Sequence, residues 1–145
     1  MDENLELLEY LYKNSEMGVN TMTKLIQELN GKDNKIKKLV EKQLKEYEGF
    51  YKDTKDIIKK YKLEPKGNGM MSKMMADMGI KKEVDSDNSD SAIAKMIIEG
   101  ATMGIVEIES KIKNYKSSVK PDILELAKKY KHVLDNQVDE LKKYL

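Results

Sequence analysis

The stretch LELLEYLYKNSEMGVNTMTKLIQEL, residues 5–29, decides the fold. Within it Leu5, Leu8, Tyr12, Ser15, Val19, Met22, Ile26 and Leu29 recur at steps of three and four, with one polar break at Ser15. That period belongs to a helix burying one face against other helices, not to a strand. Three further stripes repeat it. The second runs through Ile36, Val40, Gln43, Tyr47, Phe50, Thr54, Ile57 and Tyr61, and the third through Ile93, Ile97, Ala101, Gly104, Ile108, Ile112 and Tyr115. The last holds Leu124, Ala127, Leu134, Val138, Leu141 and Leu145.

Turn chemistry separates the stripes. Asn30-Gly31 suits a left-handed helix end, and Asp33 or Asn34 can cap the second helix. Pro65, Gly67 and Gly69 stop that helix, the Ser89-Asp90-Ser91 cluster starts the third, and Pro121 opens the fourth as a first-turn proline. The predicted helices are 3–29, 34–62, 91–117 and 121–144, each roughly 40 Å long.

Only a few residues lie between the members of each pair, which forces antiparallel hairpins. The connector 63–89 far exceeds the roughly 2–8 residues usual between bundle helices. A connector of that length is expected to travel along the bundle and make the second and third predicted helices parallel; the competing arrangement is a simple up-down-up-down bundle with a long flexible loop. The expected fold is an all-α four-helix bundle forming a single domain, 1–145. Within the crossover, residues 69–79 read as a short methionine-rich helix bracketed by glycines, and residues 83–90 as an acidic, exposed segment.

Composition narrows the function classes. The 145 residues suffice for a sizeable core without staples. With no cysteine there is no disulfide, thiolate metal site or cysteine nucleophile. Charged residues make up 37% of the chain yet cancel to a formal +1, and all 27 basic residues are lysine. A phosphate or nucleic-acid site would favour the bidentate fork of arginine, so no nucleic-acid partner is expected. Lys66-Gly-Asn-Gly does not match the nucleotide-binding loops. The chain opens on Asp2 and Glu3 rather than a basic, apolar leader, and no apolar run approaches the ~20 residues needed to span a bilayer. The expectation is a cytoplasmic protein with no membrane contact.

Two long hairpins joined by one long crossover resemble the ferritin-like four-helix-bundle superfamily, and the resemblance covers nearly the whole chain. Its di-metal members use a Glu from each of two helices and a Glu-x-x-His motif from each of the others. This chain departs from that pattern. Its one histidine is His132, the residue three before it is Lys129, and no Glu-x-x-His occurs. His132 sits roughly 150° from the centre of its helix's apolar face and is expected in solvent. Glu16, Glu46, Glu107 and Asp135 each lie roughly 80–90° off their apolar centres. They are either ordinary boundary charges or a carboxylate-only site suited to Mg²⁺, Ca²⁺ or Mn²⁺. No cofactor is expected; a divalent metal is the open alternative.

Several polar residues point further in. Ser15, Gln43, Tyr47 and Thr54 lie on or near the apolar midlines, with Lys111 and Lys131 about 50° off theirs. They form either a polar layer that fixes helix register or a small internal cavity for an ion or ligand. Met70, Met71, Met74, Met75 and Met78 form a cluster that can pack against Met96 and Met103, bind a protein partner, or hold Cu(I) through soft thioethers. Gly100 and Gly104 call for a close helix approach, and Leu7, Leu11 and Leu25 give the first helix a second apolar edge. Together these point to a homodimer. The function expected is a non-enzymatic interaction or structural module. The alternatives are a degenerate metal-binding bundle and a small-ligand-binding bundle.

Overall fold

The computed structural model describes residues 2–145 and shows an all-helical chain. Among the described residues the five α-helices are α1 (Glu3–Glu28), α2 (Lys37–Lys60), α3 (Met70–Ser86), α4 (Asp90–Tyr115) and α5 (Pro121–Leu141). A 3₁₀ turn, Lys142–Tyr144, follows α5. Local chemistry accounts for most of the ends. Asp2 accepts a hydrogen bond from the Asn4 N–H at 2.8 Å and caps α1, while Gly31 takes the left-handed turn beyond it with φ +78°. Ser89 accepts from the Ala92 N–H at 3.1 Å to cap α4, and Pro121 opens α5.

The start of α2 departs from expectation. Neither Asp33 nor Asn34 caps it; the N-cap position is Ile36, which has no side chain able to accept. The acceptor comes instead from α4. Asp90 takes the Lys35 and Ile36 N–H groups at 3.2 and 3.4 Å, and Asn34 braces it with a 2.9 Å bond to the same carboxylate. One carboxylate thus ties the first hairpin to the second.

Cross-helix bonds fix the directions. Asn34 and Asp90 mark one end of the bundle. At the other end Tyr61 and Lys60 meet Asp122 at 2.7 Å, Tyr115 meets Glu6 at 2.7 Å, and the Lys120 N–H donates to Asn4 at 2.8 Å. Helices α2 and α4 therefore run the same way, while α1 and α5 run opposite to them.

The crossover that makes this possible is more ordered than the sequence suggests. Its helix continues through Gly79 to Ser86, well beyond the expected 69–79, and residues 83–86 of the segment expected to be acidic and exposed belong to it. Ile80 and Val84, one turn apart, are buried and hold the helix to the bundle. Asp77 accepts from Asn20 at 3.0 Å and Lys73 pairs with Glu16 at 3.5 Å, so α3 lies along α1 and runs parallel to it.

That docking rotates α1. Leu7, Leu8, Leu11, Met22, Leu25 and Leu29 are buried, whereas Leu5, Tyr12, Val19 and Ile26 of the expected stripe are half-buried. A helix wedged between α2, α3 and the second hairpin needs a wider apolar face than one covered on a single side. The second edge of Leu7, Leu11 and Leu25 is therefore consumed inside the chain. In α5 the buried face is likewise Ile123, Leu126, Ala127, Tyr130, Leu134, Gln137 and Leu141, with Leu145 exposed. Among the described residues no helix is long and apolar enough to cross a membrane.

Candidate functional site

The four candidate carboxylates answer to separate partners. Glu16 on α1 accepts from the Asn68 N–H at 2.9 Å, the Asn68 amide at 3.1 Å and the Tyr51 hydroxyl at 3.2 Å, with the Lys73 ammonium at 3.5 Å. Glu46 on α2 accepts from Gln137 at 3.4 Å. Glu107 on α4 is exposed and accepts from the Tyr10 hydroxyl at 3.1 Å. Asp135 on α5 accepts from Lys131 at 3.0 Å. Among the described residues no group of three or more His, Asp or Glu side chains is placed to hold a metal ion. His132 stands exposed, where its angle put it.

Glu16 has a structural task that its sequence position did not reveal. Together with Glu9, which accepts the Lys66 N–H at 3.1 Å, it straps the extended segment 63–69 along α1. The Asn68 amide adds a 2.7 Å bond to the Lys13 carbonyl. Burial alone would push the Glu16 carboxyl up. The bonds from the Asn68 N–H and amide, the Lys73 charge and the Tyr51 hydroxyl outweigh that and hold it below the usual carboxylate range. For Glu9 the Lys66 N–H bond is the main cause of a lowered value, against desolvation and with help from Lys13.

The sign of the linkage follows. A lowered folded-state value contributes stability above the unfolded carboxyl's pKa of about 4.3, and that contribution is lost as pH falls through the folded value. On acidification below about pH 4.5, the strap and α3 are expected to release before the two hairpins separate. Amide exchange at Lys66 and Asn68, followed with the methionine methyl signals, reads this directly. Simultaneous loss of protection throughout the chain would contradict it. Glu16→Gln should flatten the pH dependence at Asn68.

The polar layer is partly as expected and partly not. Ser15, Gln43 and Thr54 are fully buried and Tyr47 nearly so. Ser15 and Thr54 satisfy themselves within their own helices, on the carbonyls of Leu11 at 2.7 Å and Phe50 at 2.9 Å. The cross-helix element is Gln43, whose amide donates to the Gln137 carbonyl at 3.3 Å. Gln137 is itself fully buried and was missed, although it stands three after Leu134 and four before Leu141, the spacing that would have found it. Lys131 leaves the layer. It is a third exposed and pairs with Asp135 and Glu109, because an ammonium cannot be buried without a partner at comparable depth. Lys111 likewise swings out over the Tyr10 ring, 4.7 Å from its centroid.

A tyrosine cluster occupies the middle of the bundle instead. Tyr130 meets Phe50 at 5.1 Å between ring centroids and Tyr10 edge-on at 6.4 Å. Tyr47 packs against α1 at Gly18, where a β-carbon would stand 2.3 Å from the ring. Gly104 serves a similar purpose on α4, since a β-carbon there would lie 3.0 Å from Leu134 of α5. Gly100 has open space around it. The five crossover methionines, Met70, Met71, Met74, Met75 and Met78, are all exposed, so they do not pack into the Met96 and Met103 edge. Ile80 of α3 and Met96 of α4 both line a cavity between α1 and α4.

No protein-family model, curated protein or solved structure matches the chain.

Proposed function

We propose that this chain is a non-enzymatic interaction module on a ferritin-like bundle, and that the methionine face of α3 is its contact surface. One observation carries the proposal. Met70, Met71, Met74, Met75 and Met78 are 56–84% exposed on one side of a helix whose only buried residues are Ile80 and Val84. Scattered exposed apolar residues need no explanation, but five on two and a half turns of one helix form a patch. Unbranched thioether side chains adapt to varied apolar shapes, which suits a docking surface better than a fixed core. What supports the ferritin-like reading is connectivity: two hairpins, with α2 and α4 parallel, joined by a crossover that climbs α1.

The occupant proposed is an amphipathic helix of a protein partner with acidic flanks. Lys24, Lys73 and Lys81 rim the groove beside the methionines, each paired with a carboxylate outside it (Glu28, Glu16 and Asp85), and the acid lining it, Asp77, accepts from Asn20. A second copy docking here would bring lysine against lysine, whereas an acidic helix gains from them. The metal-binding alternative has less support, since its four carboxylates serve separate contacts.

The test uses two helical peptides with the same apolar face, one acidic and one basic at its flanks, titrated into protein labelled at the methionine methyls. The acidic peptide is expected to shift the Met70–Met78 signals, and Met74→Lys with Met75→Lys to abolish the effect. No shift with either peptide overturns the reading. Shifts that depend only on protein concentration would assign the face to a homodimer instead.

A further inference from the structure

A cavity of about 350 Å³ lies between α1 and α4, with Tyr47 of α2 and Tyr130 of α5 in its lining. It opens past Gly100, Met103 and Glu107, all of them exposed. Its size falls at the lower end of small-molecule sites. The two tyrosines are only 7% and 4% exposed, yet neither hydroxyl has a hydrogen-bond partner among the described residues. The Tyr130 hydroxyl lies 3.9 Å from where a β-carbon on Gly104 would sit, which places it beside the α4 wall. Neither hydroxyl is among the fully enclosed atoms without a partner, so each keeps solvent contact and can donate to an acceptor that replaces water in the cavity.

We infer that this cavity binds an uncharged, mostly apolar small molecule carrying a hydrogen-bond acceptor, with the Tyr47 and Tyr130 hydroxyls donating to that acceptor. The remaining lining is chiefly methionine, isoleucine, leucine, alanine and glycine, which suits an apolar body. Its one charged residue is Glu107, at the mouth. A carboxylate ligand would meet that negative charge and no cation inside. Burial raises both phenols above their ordinary value, so they stay protonated donors at neutral pH. The open space at Gly100 leaves the entrance unobstructed, and the methionines of the wall can adjust to ligand shape.

The probe for the test is Prodan, an uncharged naphthyl ketone whose emission reports both apolar surroundings and hydrogen bonding at its carbonyl. Saturable binding at one site per chain is expected. Tyr47→Phe with Tyr130→Phe should weaken it by about five- to fiftyfold, the loss of one or two hydrogen bonds. Gly100→Leu, which fills the entrance at a position with room for a side chain, should weaken it at least tenfold while far-UV circular dichroism shows the helices intact. The carboxylate analogue, 6-dimethylamino-2-naphthoate, should bind at least tenfold more weakly than Prodan. Met74→Lys with Met75→Lys should change nothing, which separates this site from the α3 face. Absence of saturable binding overturns the inference, as does binding indifferent to both the tyrosine and the Gly100 changes.

Discussion

Gly18→Ala is expected to destabilise the protein by about 2 kcal/mol, an overpacking cost of about 3 kcal/mol less the propensity gain, and so opposite in sign to what helix propensity dictates. Alanine in a helix interior is favoured over glycine by roughly 1 kcal/mol. Gly18 lies in the middle of α1, so local preference alone would make the substitution stabilising. The tertiary contact reverses this. A β-carbon at position 18 would stand 2.3, 2.4 and 2.7 Å from three carbons of the Tyr47 ring, one of them the ring carbon attached to its own β-carbon. Such an atom cannot swing aside as a side-chain tip can, so either the α1–α2 spacing opens or the ring turns toward the cavity. Gly49→Ala on α2 is the matched control, because nothing lies within 4 Å of that position. It should gain roughly 1 kcal/mol. Chemical denaturation of both variants gives the comparison. Equal gains at the two sites would show that the ring yields freely and that the cavity wall is not held in place.

Replacing both core glutamines, Gln43→Leu with Gln137→Leu, is expected to stabilise the protein by about 2–4 kcal/mol. Each is fully buried, and each leaves its side-chain carbonyl oxygen without a partner among the described residues. Their amide hydrogens bond only at 3.3 and 3.4 Å. A buried acceptor left unpaired costs about 1–3 kcal/mol, more than a long hydrogen bond returns, and leucine fills nearly the same volume with apolar surface. Glu46 loses the amide of Gln137, but it is half-buried and can reach water. At this chain length the gain corresponds to a rise in melting temperature of roughly 5–15 °C. The cost falls on specificity: a purely apolar layer no longer distinguishes one helix register from the next, as buried polar groups do in coiled coils. A broadened methyl spectrum alongside a raised melting point would show that trade. A fall in stability would mean that trapped water satisfies both oxygens and that the layer is fully bonded.

Helix positions and hairpin pairing were legible in the residues, and the connector narrowed the topology to two arrangements, one of them with α2 and α4 parallel. They rest on interactions between neighbours three and four apart and on the length of one connector. Gly31 and Pro121 mark their turns for the same local reason, and Ser89 caps α4 through a residue three positions away. The expected caps Asp33 and Asn34 failed because a carboxylate some 55 positions downstream in sequence, Asp90, reaches the same N–H groups. Sequence spacing cannot register a donor and acceptor brought together only by the closed bundle.

The candidate site divides along the same line. Ser15, Gln43, Tyr47 and Thr54 could be placed in the core from their angle on one helix, since each lies on its own helix's apolar midline. What they do there could not. Ser15 and Thr54 turn back to their own backbone, Gln43 finds α5, and Tyr47 packs on a glycine of α1. The boundary carboxylates were the hardest case. At roughly 80–90° from a helix's apolar centre, a rotation of one residue's worth decides whether a side chain meets solvent, a lysine or a strap of backbone. Helix periodicity thus determined which segments are helical and which broad face of each is buried. The rotation of α1 and α5, the docking of α3, and the cavity over Tyr47 and Tyr130 were decided only by tertiary packing, because each depends on which distant helix arrives alongside and how closely its side chains allow it to approach.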